Sequence, residues 1–176
     1  MHPQVPRYRY AGQLTGEVNF SADEKEQISK TEKVFNWLVG LVNKNKRPRM
    51  LSRPQNGMVG PYGRIYVTDV GNQAIFVFDD AAGKLSIWED ADNNSNFVSP
   101  IGITTRTSDE ILVTDSVLGR IVRLDFSGNP IGSIGDEDLN RPTGIAVNFQ
   151  SGLIYVADTG DHNKTRQHKY SRRYQR

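Results

Sequence analysis

The sequence predicts an all-β fold, a repeat array of propeller blades, and three observations carry that expectation. A proline segment followed by a β-branched strand occurs three times. The copies are Arg53-Pro54-Gln55-Asn56-Gly57 with Ile65-Tyr66-Val67-Thr68-Asp69, Ser99-Pro100-Ile101-Gly102 with Ile111-Leu112-Val113-Thr114-Asp115, and Arg141-Pro142-Thr143-Gly144 with Ile154-Tyr155-Val156-Ala157-Asp158. The prolines recur at intervals of 46 and 42 residues, and the closing aspartates at 46 and 43. Each full interval holds several short strand-like runs divided by turn clusters. A period of about 40–45 residues with four short strands per unit is the signature of a propeller array. A single such unit cannot bury its own faces, so the fold exists only as stacked neighbours.

The units span about 53–97, 98–139 and 140–163. In the first, Gly57-Met58-Val59 is the expected innermost strand, Ile65–Thr68 the second, Ala74–Phe78 the third and Leu85–Trp88 the fourth. The runs are rich in β-branched and aromatic residues, and Asp69–Asn72 and Asp79–Gly83 supply the turns. The nearly unbroken apolar run Ala74–Phe78 is what a strand with both faces covered requires. The second unit repeats the order with Gly102–Thr104, Ile111–Val113, Ile121–Leu124 and Pro130–Ile134. The third delivers Gly144–Val147 and Leu153–Ala157. Past Asn163 the chain has no Val, Ile, Leu, Met or Phe, so residues 164–176 read as a basic disordered tail and the array as about two and a half blades.

Ahead of the repeats, residues 1–20 form an N-terminal segment in which Tyr8–Leu14 alternates as a strand does. Residues 21–47 hold an amphipathic helix and a basic linker. Ser21-Ala22-Asp23-Glu24 carries a capping-box pattern, and Ile28, Phe35, Leu38 and Val42 recur at helical spacing from Ala22 to about Lys44. Repeats with their flanking residues occupy 48–163.

These motifs resemble the NHL-repeat family. Pro142-Thr143-Gly144-Ile145-Ala146 and Tyr155-Val156-Ala157-Asp158-Thr159-Gly160-Asp161-His162 follow its repeat closely. Pro100-Ile101-Gly102-Ile103 and Val67-Thr68-Asp69-Val70-Gly71-Asn72 follow it well. Tyr8–Phe20 is similar to the corresponding stretch of bacterial propeller proteins of this group. The resemblance implies a propeller that is six-bladed in intact relatives, with an N-terminal strand closing the last blade. It implies that Pro54, Gly57, Asp69, Pro100, Gly102, Asp115, Pro142, Gly144 and Asp158 are structural positions of the repeat. The loss of apolar residues near Asn163 reads as truncation of a larger protein.

Composition bounds the chemistry. Net charge is +2, but residues 161–176 alone carry +5 and the remainder −3, so the blades are mildly acidic. There is no cysteine, hence no disulfide framework, thiolate metal site or cysteine nucleophile. No apolar run approaches the length of a transmembrane helix. The first residues lack the segments of a signal peptide, so the chain as written reads as cytoplasmic. The bacterial resemblance implies the cell envelope for intact relatives.

The three histidines, His2, His162 and His168, all lie outside the complete repeats. Neither catalytic residues nor a metal or other cofactor is therefore expected. Asp69, Asp115 and Asp158 invite a metal reading, but aspartate after a strand more often accepts hydrogen bonds from turn backbone. Asn72, Gln73, Arg106 and Arg120 are the candidate contacts at a blade rim. The function expected is a non-catalytic scaffold binding an unidentified protein or peptide, with self-association through open blade edges and no nucleic-acid partner. The alternatives are a fragment of a propeller enzyme whose site lies in other blades, or RNA binding through rim and tail.

Overall fold

The computed structural model describes residue 10 and residues 12–20, 48–136 and 138–160. Two compact units divide the chain, Met1–Met50 and Leu51–Arg176. The helix expected at 22–44, Glu137 and the tail past residue 160 lie outside the described residues.

In the first unit the strand expected over Tyr8–Leu14 is not formed by its described members, Tyr10 and Gly12–Leu14. A one-turn 3-10 helix, Glu17–Asn19, is present instead. The cause is Asn19. Its Oδ1 accepts the N–H of Thr15 (2.7 Å) and Gly16 (2.9 Å), and its Nδ2 donates to the Gln13 carbonyl (2.7 Å). Those bonds fold the segment locally, as Asn side chains do when they compete with a sheet ladder. Gly16 bridges Met50, and the Glu17 N–H donates to the Arg49 carbonyl (2.9 Å).

The described residues of the second unit form three antiparallel sheets. The first contains β1 (Pro54–Val59), β2 (Ile65–Asp69), β3 (Ala74–Asp79) and β4 (Lys84–Trp88) in sequence order. The next repeats it with β5 (Pro100–Thr105), β6 (Ile111–Asp115), β7 (Arg120–Leu124) and β8 (Pro130–Ile134). The third pairs β9 (Pro142–Asn148) with β10 (Leu153–Asp158). Ten strands thus fall where the β-branched runs and turn clusters place them. Inner strands of successive sheets lie side by side, β1 against β5 and β5 against β9.

The core lies between sheets. Tyr66, Ile75 and Val77 on the front of the first meet Ile103, Ile111, Val113, Val122 and Leu124 on the back of the second, with Ala91 and Phe97 from the connecting loop. Leu112 and Ile121 on the front of the second meet Ile154 and Val156 of the third. Burying each of these large side chains contributes about 1.5–3 kcal/mol. Period-2 alternation is therefore the device that sends one set of residues back and the other forward. Phe76 and Phe78 lie on the opposite face of β3 and are also buried.

Register corrects one expected equivalence. Pro54, Pro100 and Pro142 pair with Asp69, Asp115 and Asp158. A one-residue bulge follows each proline, at Gln55, Ile101 and Thr143. Asn56 then opposes Thr68, whereas Gly57 opposes Val67 and Ile103 opposes Val113. Asn56, not Gly57, therefore occupies the position of Gly102 and Gly144. The residue count after the proline, rather than the glycine itself, sets the register.

Candidate interaction surface

Each repeat aspartate ends a second strand and faces the segment entering its own blade. Asp69 accepts the N–H groups of Ser52 (2.6 Å), Arg53 (3.1 Å) and Asn72 (2.9 Å). Asp115, fully buried, accepts those of Val98, Ser99, Val117 and Leu118 at 2.8–3.0 Å. Asp158 accepts those of Asn140 (2.8 Å), Arg141 (2.7 Å) and Gly160 (3.1 Å). A carboxylate holding several backbone donors is a strong, charge-assisted staple. Here it joins strand end, turn and incoming loop, which occupies its lone pairs. Among the described residues no three His, Cys, Asp or Glu side chains form a cluster able to hold a metal ion.

The residue before that aspartate stitches blade to blade. The Thr68 hydroxyl donates to the Ile101 carbonyl of the second sheet (2.7 Å), and the Thr114 hydroxyl to the Thr143 carbonyl of the third (2.5 Å). The same hydroxyls accept the N–H of Asn56 (3.1 Å) and Gly102 (2.8 Å). The carbonyl captured in each case belongs to the bulge residue, which turns it out of its own ladder. Gly102 is required at this approach, because a Cβ there would overlap the Thr143 carbonyl oxygen. Sequence reading missed these two threonines. The only signal was their recurrence in two copies against Ala157 in the third.

The expected rim residues are held by the protein itself. The Asn72 N–H is bonded to Asp69, and Gln73, at φ 54, donates through Nε2 to the Val98 carbonyl (3.3 Å). Arg120 reaches Asp92 (2.6 Å), the Ser95 hydroxyl (3.1 Å) and Asp136 (3.4 Å), tying two loops to β7. The Ser95 hydroxyl, then the Asn94 N–H and the Arg120 guanidinium, hold the Asp92 carboxyl far below the usual carboxylate range. Arg106 lies 3.5 Å from Glu110, which also takes Arg123 at 2.5 Å. Glu110 is buried, so the two arginines compensate a charge that would be costly alone.

What remains presented is one face of the third sheet. Gly144, Ala146, Tyr155 and Ala157 are exposed there, while Ile145, Val147, Ile154 and Val156 turn back into the core. Tyr155 is 41% exposed; its counterparts in the preceding sheets, Tyr66 and Leu112, are both 0% exposed beneath the next sheet. Among the described strands β10 pairs only with β9, whereas β2 and β6 pair on both sides. Phe149 and Tyr62, in first-to-second strand loops, are also exposed.

Four-stranded antiparallel sheets, stacked front to back with inner strands adjacent, are blades of a β-propeller. Residues 139–163 match the NHL repeat, covering the third proline segment, β9, β10 and the aspartate staple. The third unit is thus an NHL repeat, and the described blades have the fold of an NHL-type β-propeller. Among curated proteins it is similar to a gluconolactonase of Zymomonas mobilis, 29% identical over 118 residues, which is 59% of this chain and 33% of that protein. It thus spans about a third of the length of that relative. Among solved structures, hydrazine synthase of Kuenenia stuttgartiensis has a TM-score of 0.51 at 18% identity, covering 62% of this chain and 30% of that one. Virginiamycin B lyase from Staphylococcus aureus has a TM-score of 0.48 at 17% identity, covering 68% and 41%.

Proposed function

We propose that this chain is a non-catalytic propeller scaffold that binds protein through the open face of its third sheet, the occupant being a second copy of the chain. One observation carries the reading. The position that is fully buried as Tyr66 and Leu112 stands exposed as Tyr155, ringed by Gly144, Ala146 and Ala157. Small residues around one aromatic let two such faces approach closely, and a two-fold arrangement lets one patch serve both partners. The β10 edge, unpaired among the described strands, adds backbone donors and acceptors to the same surface.

Light scattering across a dilution series tests it. A species of twice the 19.8 kDa chain mass is expected at high concentration, and Tyr155→Lys should return it to monomer. A monomer at every concentration, or a dimer indifferent to Tyr155→Lys, would overturn the reading.

The resemblance to a gluconolactonase favours a second reading, lactone hydrolysis. Purified chain incubated with glucono-δ-lactone, with and without added divalent cations, decides it. Hydrolysis above the spontaneous rate would displace the scaffold reading.

A further inference from the structure

A cavity of about 230 Å³ opens between the first two blades, away from their inner strands. One wall is aromatic, formed by Trp88 of β4 and Phe126 of the β7–β8 turn. Tyr66 backs that wall, its ring centroid 5.6 Å from Trp88 and 6.3 Å from Phe126. The opposite end is charged. Arg64 pairs with Asp79 at 2.7 Å, and Lys84, beside Asp79 in the sheet, completes the row. One carboxylate against two cations leaves a single positive charge at the cavity's end.

Polar capacity inside the cavity is unfilled. The hydroxyls of Ser86 and Ser127 line it and have no partner among the described residues. The Tyr66 hydroxyl, in the same cross-strand row as Val77 and Ser86, is buried behind the aromatic wall, where the Arg64 guanidinium acts on it. Burial pushes that hydroxyl up from the ordinary phenol range, with the Arg64 guanidinium opposing, so it remains a neutral O–H donor.

We infer that this cavity is a binding site for a small monocarboxylate with a planar apolar body. The ring lies against Trp88 and Phe126, and the carboxylate faces Lys84 and Arg64. The volume of about 230 Å³ suits a one-ring compound with a short side chain. The site lies apart from the third-blade face, so it stands or falls independently of the scaffold reading.

Phenylacetate is the probe and neutral phenylacetamide the control. In a Trp37→Phe background Trp88 is the sole tryptophan, and phenylacetate should quench it saturably with a dissociation constant of about 1 mM. Saturation-transfer NMR on the unmodified chain gives the same constant without any substitution. Phenylacetamide and the Lys84→Ala variant should each bind about fivefold more weakly, and Ser127→Trp should abolish binding by filling the cavity. No saturable response up to about 20 mM, equal binding of the amide, or unchanged affinity in Lys84→Ala would overturn the assignment.

Discussion

Gly102→Ala tests the blade-to-blade stitch at its tightest point. A Cβ at this position would overlap the Thr143 carbonyl oxygen. It would also sit 2.9 Å from Thr114 Oγ1 and 3.1 Å from Ile145 Cγ2. The worst obstacle is backbone, so no rotamer change relieves it; the second and third inner strands must part. Parting them lengthens the 2.5 Å bond from Thr114 to Thr143. Overpacking costs about 1–3 kcal/mol and a weakened hydrogen bond about 1 kcal/mol. Against this, losing glycine's freedom in the unfolded chain returns about 0.4–1 kcal/mol. The net destabilisation is about 2 kcal/mol, or roughly 4–8 °C for a chain of this size. Gly144, the same position one blade on, is the internal control. Its Cβ would meet only the Ala157 methyl, at 3.6 Å. Gly144→Ala should therefore be neutral or slightly stabilising. Thermal and urea unfolding followed by circular dichroism reads both variants. Equal melting temperatures for the two, or Gly144→Ala as the worse, would refute the reasoning.

Asp115→Ala strips a buried acceptor from four backbone N–H groups and should cost about 3 kcal/mol or more, whereas Asp158→Ala, in a more exposed setting, should cost less; urea midpoints rank them. Thr114→Val keeps the shape but removes the stitch, and should cost about 1 kcal/mol by the same assay. Acid should destabilise the fold in a defined window. Burial pushes Asp125 up, but the Asn129 side chain and the N–H groups of Asn129, Ser127 and Gly128 outweigh it and hold the carboxyl below its ordinary value. Asp79, against Arg64, and Asp92 are lowered too. A depressed folded pKa gives stability that is fully present above the unfolded carboxylate pKa of about 4 and is lost as pH falls through the folded value. Melting temperature should be flat from pH 8 to about 5 and fall below about 4, less steeply in Asp125→Asn; a flat profile down to pH 3 would contradict this.

Most of the blade architecture was legible because strand content is local. β-Branched runs with turn residues at fixed offsets mark β1 to β10 without reference to anything distant. Within Tyr8–Leu14 the described members, Tyr10 and Gly12–Leu14, form no strand, since alternation alone cannot reveal that Asn19 captures the backbone of Thr15 and Gly16. Equating Gly57 with Gly102 failed because glycine is visible in a sequence, whereas a bulge after proline is visible only in register. Arg106 and Arg120 read as candidate rim contacts, and the ion pairs they make were not legible. Glu110 reaches Arg106 by the register of a hairpin, and Asp92 lies 28 residues before Arg120. The cavity was illegible for the same reason: its aromatic wall joins β4 to a turn of the next blade.

The threonine stitches all run the same way, each blade reaching forward into the next. At the third blade the donor is replaced by the methyl of Ala157. The array is therefore polar in the sense that a zip is polar. Two seams are sewn and welded by packing; the surface beyond them offers only adhesion. Whatever settles there gives up one hydroxyl's hold, about 1 kcal/mol or a fivefold faster departure, relative to a neighbour inside the array.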